Sequence, residues 1–241
     1  MKNYLSKIFV IHYTKLKERK QHMLSEIEKW GLDCIPIHFQ EESDQESMTD
    51  FDISRTVNIE RFKENTGRSP SLGELSLCIK YKKILEAISV MEDDEYVLVL
   101  EDDVIFKESP LDYINHLLHR CESENTDFDC IFMGEAALRV GDHSDAFYRK
   151  AHPATNGLCT VLYRVSAAKK LFIDLNIYKI GNALDWHFNK RFEELDFDVY
   201  WAKAITEHGS VTATRTDDLN HFKSSLREEY STPKIKLMDF C

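Results

Sequence analysis

Hydrophobic and polar positions along this chain follow two periods, and the alternation between them predicts its elements. Ile8–Tyr13 is apolar and β-branched, which predicts a strand. Leu16, Met23, Leu24, Ile27 and Trp30 then recur at helical spacing, with Thr14 as the candidate N-cap and Gly31 as the stop. Cys34–Phe39 reads as a second strand and the acidic, polar stretch Gln40–Asp52 as a loop. Ser71-Leu-Gly-Glu74 has the form of a capping box, opening a helix whose apolar stripe includes Leu75, Cys78, Ile79, Leu85 and Ile88. A strand over 96–100 follows. Ser109-Pro110 starts a helix with Leu111, Ile114, Leu117, Leu118 and Cys121 on one face. Cys130–Met133 and Leu158–Val165 are further strands, the second running into a helix capped by Ser166. Asn182 caps a helix carrying Leu184, Phe188, Phe192 and Leu195, and Asp198–Ala204 is the last strand. Such alternation predicts an α/β fold with a mainly parallel central sheet and helices on both faces. In sheets of that kind, ligands bind beyond the carboxyl ends of the strands.

Composition narrows the class. With 241 residues, 43% of them hydrophobic and 30% charged, the chain can bury a sizeable core and is neither disordered nor fibrous. A net charge of −11 disfavours nucleic acid as a partner but leaves room for a local basic pocket. The six cysteines are scattered without a CxxC pair, the pattern of buried free thiols in a reducing compartment. The apolar run Ile8–Ile11 is far shorter than a signal-peptide core, and no segment approaches a membrane span, so a cytoplasmic protein is expected.

The charge pattern breaks the rules at one place. In "VLVLEDDVIF", residues 97–106, a buried-looking strand runs straight into Glu101, Asp102 and Asp103. Three adjacent like charges at the end of a core strand cost stability through repulsion and desolvation. Strand alternation, carried through the triplet, sends Glu101 and Asp103 to one face and Asp102 to the other. Two carboxylates on one face form a hard-oxygen clamp suited to Mg²⁺ or Mn²⁺, ions that keep waters and take further ligands from phosphates. A solvated acidic turn is the alternative.

Taken in order, "IFVIHYTKLKERKQHM", "SLGELSLCIKYKKIL", "YVLVLEDDVIF", "NGLCTVLYRVSAAKKLF" and "NALDWHFNKRF" resemble the family 25 glycosyltransferases, over roughly Ile8 to Ser210. The resemblance implies a single GT-A type domain over residues 1–241: a nucleotide-binding half at 1–135, an acceptor-side half at 136–215 and a tail at 216–241. It implies inverting transfer of a hexose, galactose or glucose, from a UDP-sugar to a hydroxyl of a glycan, lipooligosaccharide or glycoprotein acceptor. Peripheral association with a membrane stays open. Glu101 and Asp103 match the outer acids of the family's metal-binding cluster and Asp102 its middle one. Gly73 and Glu74 match the start of its GExGCxxSH segment, and Arg19 lies in its N-terminal nucleotide-side element. Where the family has GC and then SH, this chain has Ser76-Leu77 and then Lys80-Tyr81.

Four later residues complete the candidates. Asp185 matches a family acid and is a candidate general base; as a first-turn acid it also suits the helix dipole. In "TEHGSVTATR", 206–215, His208 is placed to complete the metal shell, Glu207 to share base duties and Ser210 to meet a phosphate, with an exposed polar loop as the alternative. Trp186, His187 and the C-terminal segment are weaker candidates for sugar or membrane contact. Two other functions compete. A noncatalytic nucleotide-sugar-binding relative draws on the Lys80-Tyr81 departure. A metal-dependent phosphohydrolase draws on the strand ending in acids, but would want Asp where Glu101 stands.

Overall fold

The computed structural model describes residues 4–134, 147–150 and 157–209. Eight strands form one sheet: β1 (Leu5–Ile11), β2 (Ile37–Gln40), β3 (Tyr96–Glu101), β4 (Val104–Phe106), β5 (Cys130–Gly134), β6 (Tyr148–Arg149), β7 (Thr160–Arg164) and β8 (Val199–His208). Their order is β2-β1-β3-β7-β5-β8-β4, with β6 also on β8. The helices are α1 (Lys17–Lys29), α2 (Asp50–Thr56), α3 (Ile59–Thr66), α4 (Leu72–Ile88), α5 (Pro110–Glu124), α6 (Val165–Ile177) and α7 (Leu184–Glu194).

The sheet has a core on each face, as the alternation of β1 requires. Phe9 and Ile11 join one cluster with Leu85 of α4, Leu171 of α6 and Phe188 of α7. Ile8 and Val10 join the other with Met23 of α1 and Leu117 of α5. Every described strand residue between Val97 and Leu100 is fully buried, so β3 is the spine of both cores.

The fold is α/β as expected, with a mostly parallel sheet: β1, β2, β3, β5 and β8 share one direction. It is less uniform than the strand–helix alternation predicts. β7 enters antiparallel between β3 and β5, while β4 and β6 run antiparallel to β8. β4 follows β3 after a two-residue turn, too short for the crossover that a parallel return needs.

Three expected caps are also corrected. Helix α1 starts after Leu16, because Thr14 turns its hydroxyl to Asp44 instead. The N-caps of α6 and α7 are Arg164 and Ala183, neither with a side-chain cap, so Ser166 and Asn182 do not cap. Cys34 closes a short 3-10 turn ahead of β2, which shortens that strand. The expected capping box is present: Ser71 Oγ accepts from the Glu74 amide and Glu74 accepts from the Ser71 amide.

Gly134, the last residue of β5, is where that strand meets the start of β7. A Cβ there would enter the van der Waals shell of Cys159 Sγ. Gly134→Ala should therefore destabilise the protein by about 1–3 kcal/mol through overpacking. Adding Cys159→Ala should restore much of the loss in chemical denaturation; an unchanged midpoint for the single variant would contradict the close approach.

Candidate functional site

The site forms where β1 and β3 end side by side, Ile11 opposite Glu101. Beyond Glu101 the chain leaves the strand and turns through Asp102 and Asp103 into β4. The alternation argument stops at that turn, which corrects the expected faces. Asp102 and Asp103 both reach Arg19: its Nη1 donates to Asp102 Oδ1 at 2.8 Å and lies 3.4 Å from Asp103 Oδ2. Both carboxylates are buried, at 5% and 4% exposure. His12, just past β1, donates from Nδ1 to Asp102 Oδ2 at 2.8 Å, and the Tyr13 amide points at the same oxygen. Asp102 is thus the brace of the turn. Glu101, half-buried, ends β3, and its charge is among those that push the Tyr81 phenol of α4 up.

Helix α1 holds this turn with a polar edge beside its apolar stripe. Besides Arg19, His22 Nε2 donates to the Val104 carbonyl at 2.8 Å, and Glu26 accepts from the Phe106 amide at 2.9 Å. Arg19, His22 and Glu26 stand at i, i+3 and i+7, one side of a helix. Within the basic run Lys15–Lys20, Lys15 and Lys20 make surface pairs with Glu46 and Glu41, whereas Arg19 is buried.

A second buried ion pair secures the neighbouring loop. Lys80, 2% exposed, donates to Asp44 and to the His12 carbonyl. Asp44 also accepts from the Thr14 amide and hydroxyl, and Ser76 Oγ donates to the Ser43 carbonyl at 2.7 Å. Ser76 and Lys80, two of the four positions where the chain departs from the GExGCxxSH pattern, therefore tie α4 to the loop after β2 and to the end of β1. Tyr81 Oη meets Tyr163 Oη at 2.8 Å, and burial pushes both phenols up.

The other candidates fall into three groups. Glu74 and Asp185 open α4 and α7; Ser76 and Lys80 tie the first turns of α4 to the carboxyl end of β1 and the loop after β2, and Asp185 is near enough to Glu74 to feel its charge. They sense each other: burial, then the Glu74 charge, raises the Asp185 carboxyl above its ordinary value, against hydrogen bonds from backbone amides. Burial opposes ionisation of Glu74 too, but a bidentate pair with Arg68 (2.6 and 2.7 Å) and the Ser71 amide outweigh it and hold the carboxyl low. Glu207 sits on β8 opposite Ile105 and pairs at the surface with Lys107 at 3.6 Å. The backbone of His208 pairs with Val104 beside the acidic turn, and the Gly209 amide donates to the Asp103 carbonyl at 2.6 Å. The His208 side chain and Ser210 lie outside the described residues, as does the C-terminal segment. Among the described residues no three His, Cys, Asp or Glu side chains gather closely enough to enclose a metal by themselves.

This buried, charged turn lies at the carboxyl ends of β1 and β3, where sheets of this kind bind ligands, and the sequence has a match there. The model of glycosyltransferase family 25 (LPS biosynthesis protein) matches residues 5–157, well over half of the chain. The chain belongs to glycosyltransferase family 25. The family 25 match contains Arg19, Lys80 and the whole acidic turn but stops before Asp185 and Glu207. No curated protein matches the sequence. Among solved structures, apo mouse xyloside xylosyltransferase 1 superposes with a TM-score of 0.39 at 12% identity, covering 80% of this chain and 70% of that one. That overlap is too loose to bear on the fold or the site. No described helix is long and apolar enough to cross a membrane.

The raised Asp185 carboxyl has a consequence for stability. A carboxyl whose folded value exceeds its unfolded one lowers stability once the unfolded chain ionises, above pH 3.8 for a typical aspartate. Asp185→Asn should raise the melting temperature near neutral pH, and the gain should vanish as the pH falls below 3.8. A melting temperature unchanged or lowered at neutral pH would contradict this reading.

Proposed function

We propose that this family 25 glycosyltransferase moves a hexose, galactose or glucose, from a UDP-sugar to a hydroxyl of a glycan or glycoconjugate, with inversion at the anomeric carbon. The observation that carries the proposal is the acidic turn at the ends of β1 and β3. Arg19 and His12 engage Asp102, so the middle acid is occupied by the protein itself. Asp103, whose Oδ2 also lies 3.4 Å from Arg19 Nη1, and Glu101 are the acids that the resemblance to the family assigns to a cation, on a GT-A type plan. Two carboxylates of this kind would suit Mn²⁺ or Mg²⁺ as hard-oxygen ligands. Such an ion, once bound, neutralises the charge that develops on the departing diphosphate.

The residues of the chain supply the rest. Arg19 balances the two buried aspartates, so the turn keeps its shape whether or not a ligand is present. An inverting transfer is a single in-line displacement, and its base must stand across the sugar from the leaving group. Asp185 suits that role: it opens α7 near enough to Glu74 to feel its charge, and its raised proton affinity makes it a better acceptor for the proton of the attacking hydroxyl. Glu207, committed to a surface pair with Lys107, stands second. Lys80 is buried against Asp44 and the His12 carbonyl, so the departure from the family's pattern falls on a structural brace and gives little support to a noncatalytic relative.

Incubation with a panel of UDP-sugars and Mn²⁺, scoring UDP release, tests the proposal. Asp103→Asn should cut turnover by orders of magnitude, and EDTA should abolish it; full activity in EDTA would remove the metal from the scheme. In the same assay Asp185→Asn should lose about 10²–10⁴-fold in rate while UDP affinity holds. Loss of UDP binding would move Asp185 to the donor side.

A further inference from the structure

Helices α3 and α7, with the segment between α6 and α7, line a small polar cleft. Its chemistry runs against the mean charge of the chain. Arg61, Lys190 and Arg191 line it together with Asn65, Trp186 and His187. Arg191 is neutralised by a two-point pair with Asp174 and by Glu194. Lys190 has only an exposed contact to Glu194 at 3.6 Å, and Arg61 makes no ion pair among the described residues. Two cations therefore face the cleft with little countercharge.

The cleft is also preformed. The aliphatic stem of Arg61 lies across Gly181, where a Cβ would come within 2.8 Å of Arg61 Cγ and Cδ. Asn65 Nδ2 donates to the Gly181 carbonyl at 2.6 Å, and the Asn58 amide donates to the Ile180 carbonyl at 2.8 Å. These bonds fasten α3 to the segment leading into α7. At the wall sits His187, only 8% exposed, with an Nε2 that has no hydrogen-bond partner. Burial and then the charges of Arg191, Arg61 and Lys190 lower this imidazole to about 3, so it is neutral at physiological pH. The exposed indole of Trp186 stands on the same wall and offers a flat face of the kind that sugars stack on.

Cations, a buried unpartnered imidazole nitrogen and an exposed indole select one ligand chemistry. We propose that this cleft is a subsite for an anionic sugar of the acceptor, a ring carrying a carboxylate or a phosphate. It rests on the transferase reading for the word acceptor: Asp185, the residue before Trp186, faces α4, so the cleft lies one helix face away from the proposed base. A sugar held there would be a neighbour of the one receiving the hexose. The anion lies between Arg61 and Lys190, and the ring stacks on Trp186 above the neutral, buried imidazole of His187.

The test is a binding titration followed by Trp186 fluorescence, assigned with Trp186→Phe, without UDP-sugar or metal. The probes are glucuronic acid, glucose 6-phosphate, glucose and inorganic phosphate. One or both anionic sugars should quench the signal while glucose and phosphate do not, and whichever responds names the anion. Arg61→Gln with Lys190→Gln should weaken that binding at least about tenfold, the loss of one charged contact or more. Both residues are exposed, so melting temperature should hold. Equal binding of glucose, equal binding of inorganic phosphate, or wild-type affinity in the double variant would overturn the proposal. Asp185→Asn should bind these sugars as the wild type does. If no UDP-sugar supports transfer while the titration succeeds, the cleft stands and the transferase reading falls.

Discussion

Arg19 is the residue on which the site depends. β3 delivers three acids to one end of the sheet, and two of them are buried. Without a cation among them, repulsion and lost hydration would open the turn. The guanidinium is placed by α1, which itself is placed by Met23 and Ile27 packing on β1 and β3. A buried pair of this kind adds little net stability, but losing one partner costs about 3–5 kcal/mol, since the others are left desolvated and uncompensated. The arrangement therefore selects one geometry for the turn more than it stabilises the fold. His22 and Glu26 extend the same grip to β4, so the acids are fixed from both sides.

A second buried pair, Lys80 with Asp44, repeats the device one strand away. The two are joined through a single residue: the carbonyl of His12 accepts from Lys80 while its imidazole donates to Asp102. The end of β1 is thus the hub between the loop after β2, helix α4 and the acidic turn. His12, Asp44, Lys80, Asp102 and Asp103 are all buried there, which gives the rigidity that the proposed displacement would need to hold its leaving group in line.

Much of this was legible in the sequence, in ways that separate local from nonlocal physics. The capping box at Ser71–Glu74 and the Ser109-Pro110 start were readable because each is settled within four residues. The acidic triplet stood out for the same reason. Thr14, Ser166 and Asn182 misled because a hydroxyl or amide near a helix start is only a candidate cap until tertiary partners compete for it, and Asp44 took Thr14. The faces of the acids could not be read from alternation, since a turn ends the strand at Glu101. Lys80 and Asp44 lie 36 residues apart and nothing local marks them as partners. Arg19, His22 and Glu26 did carry a signal, a polar edge at i, i+3, i+7 beside an apolar stripe, but such an edge reads equally well as a solvated face. Arg61 and Lys190 look like any surface cations until α3 and α7 are brought together.

The antiparallel strand in the middle of the sheet governs the order in which the protein can be made. β2, β1 and β3 pair with one another, and β5 pairs with β8; among the described residues only Thr160–Arg164 joins the two groups. As the chain leaves the ribosome, the open edge of β3 must wait for some sixty more residues before its neighbour arrives. An unpaired, mostly apolar strand edge is a template for the wrong partner during that interval. The stretch that the family 25 model covers ends at residue 157, three short of that joining strand. What identifies the protein is therefore not a unit that can close by itself: β7 and β8, both beyond it, are needed to complete the sheet.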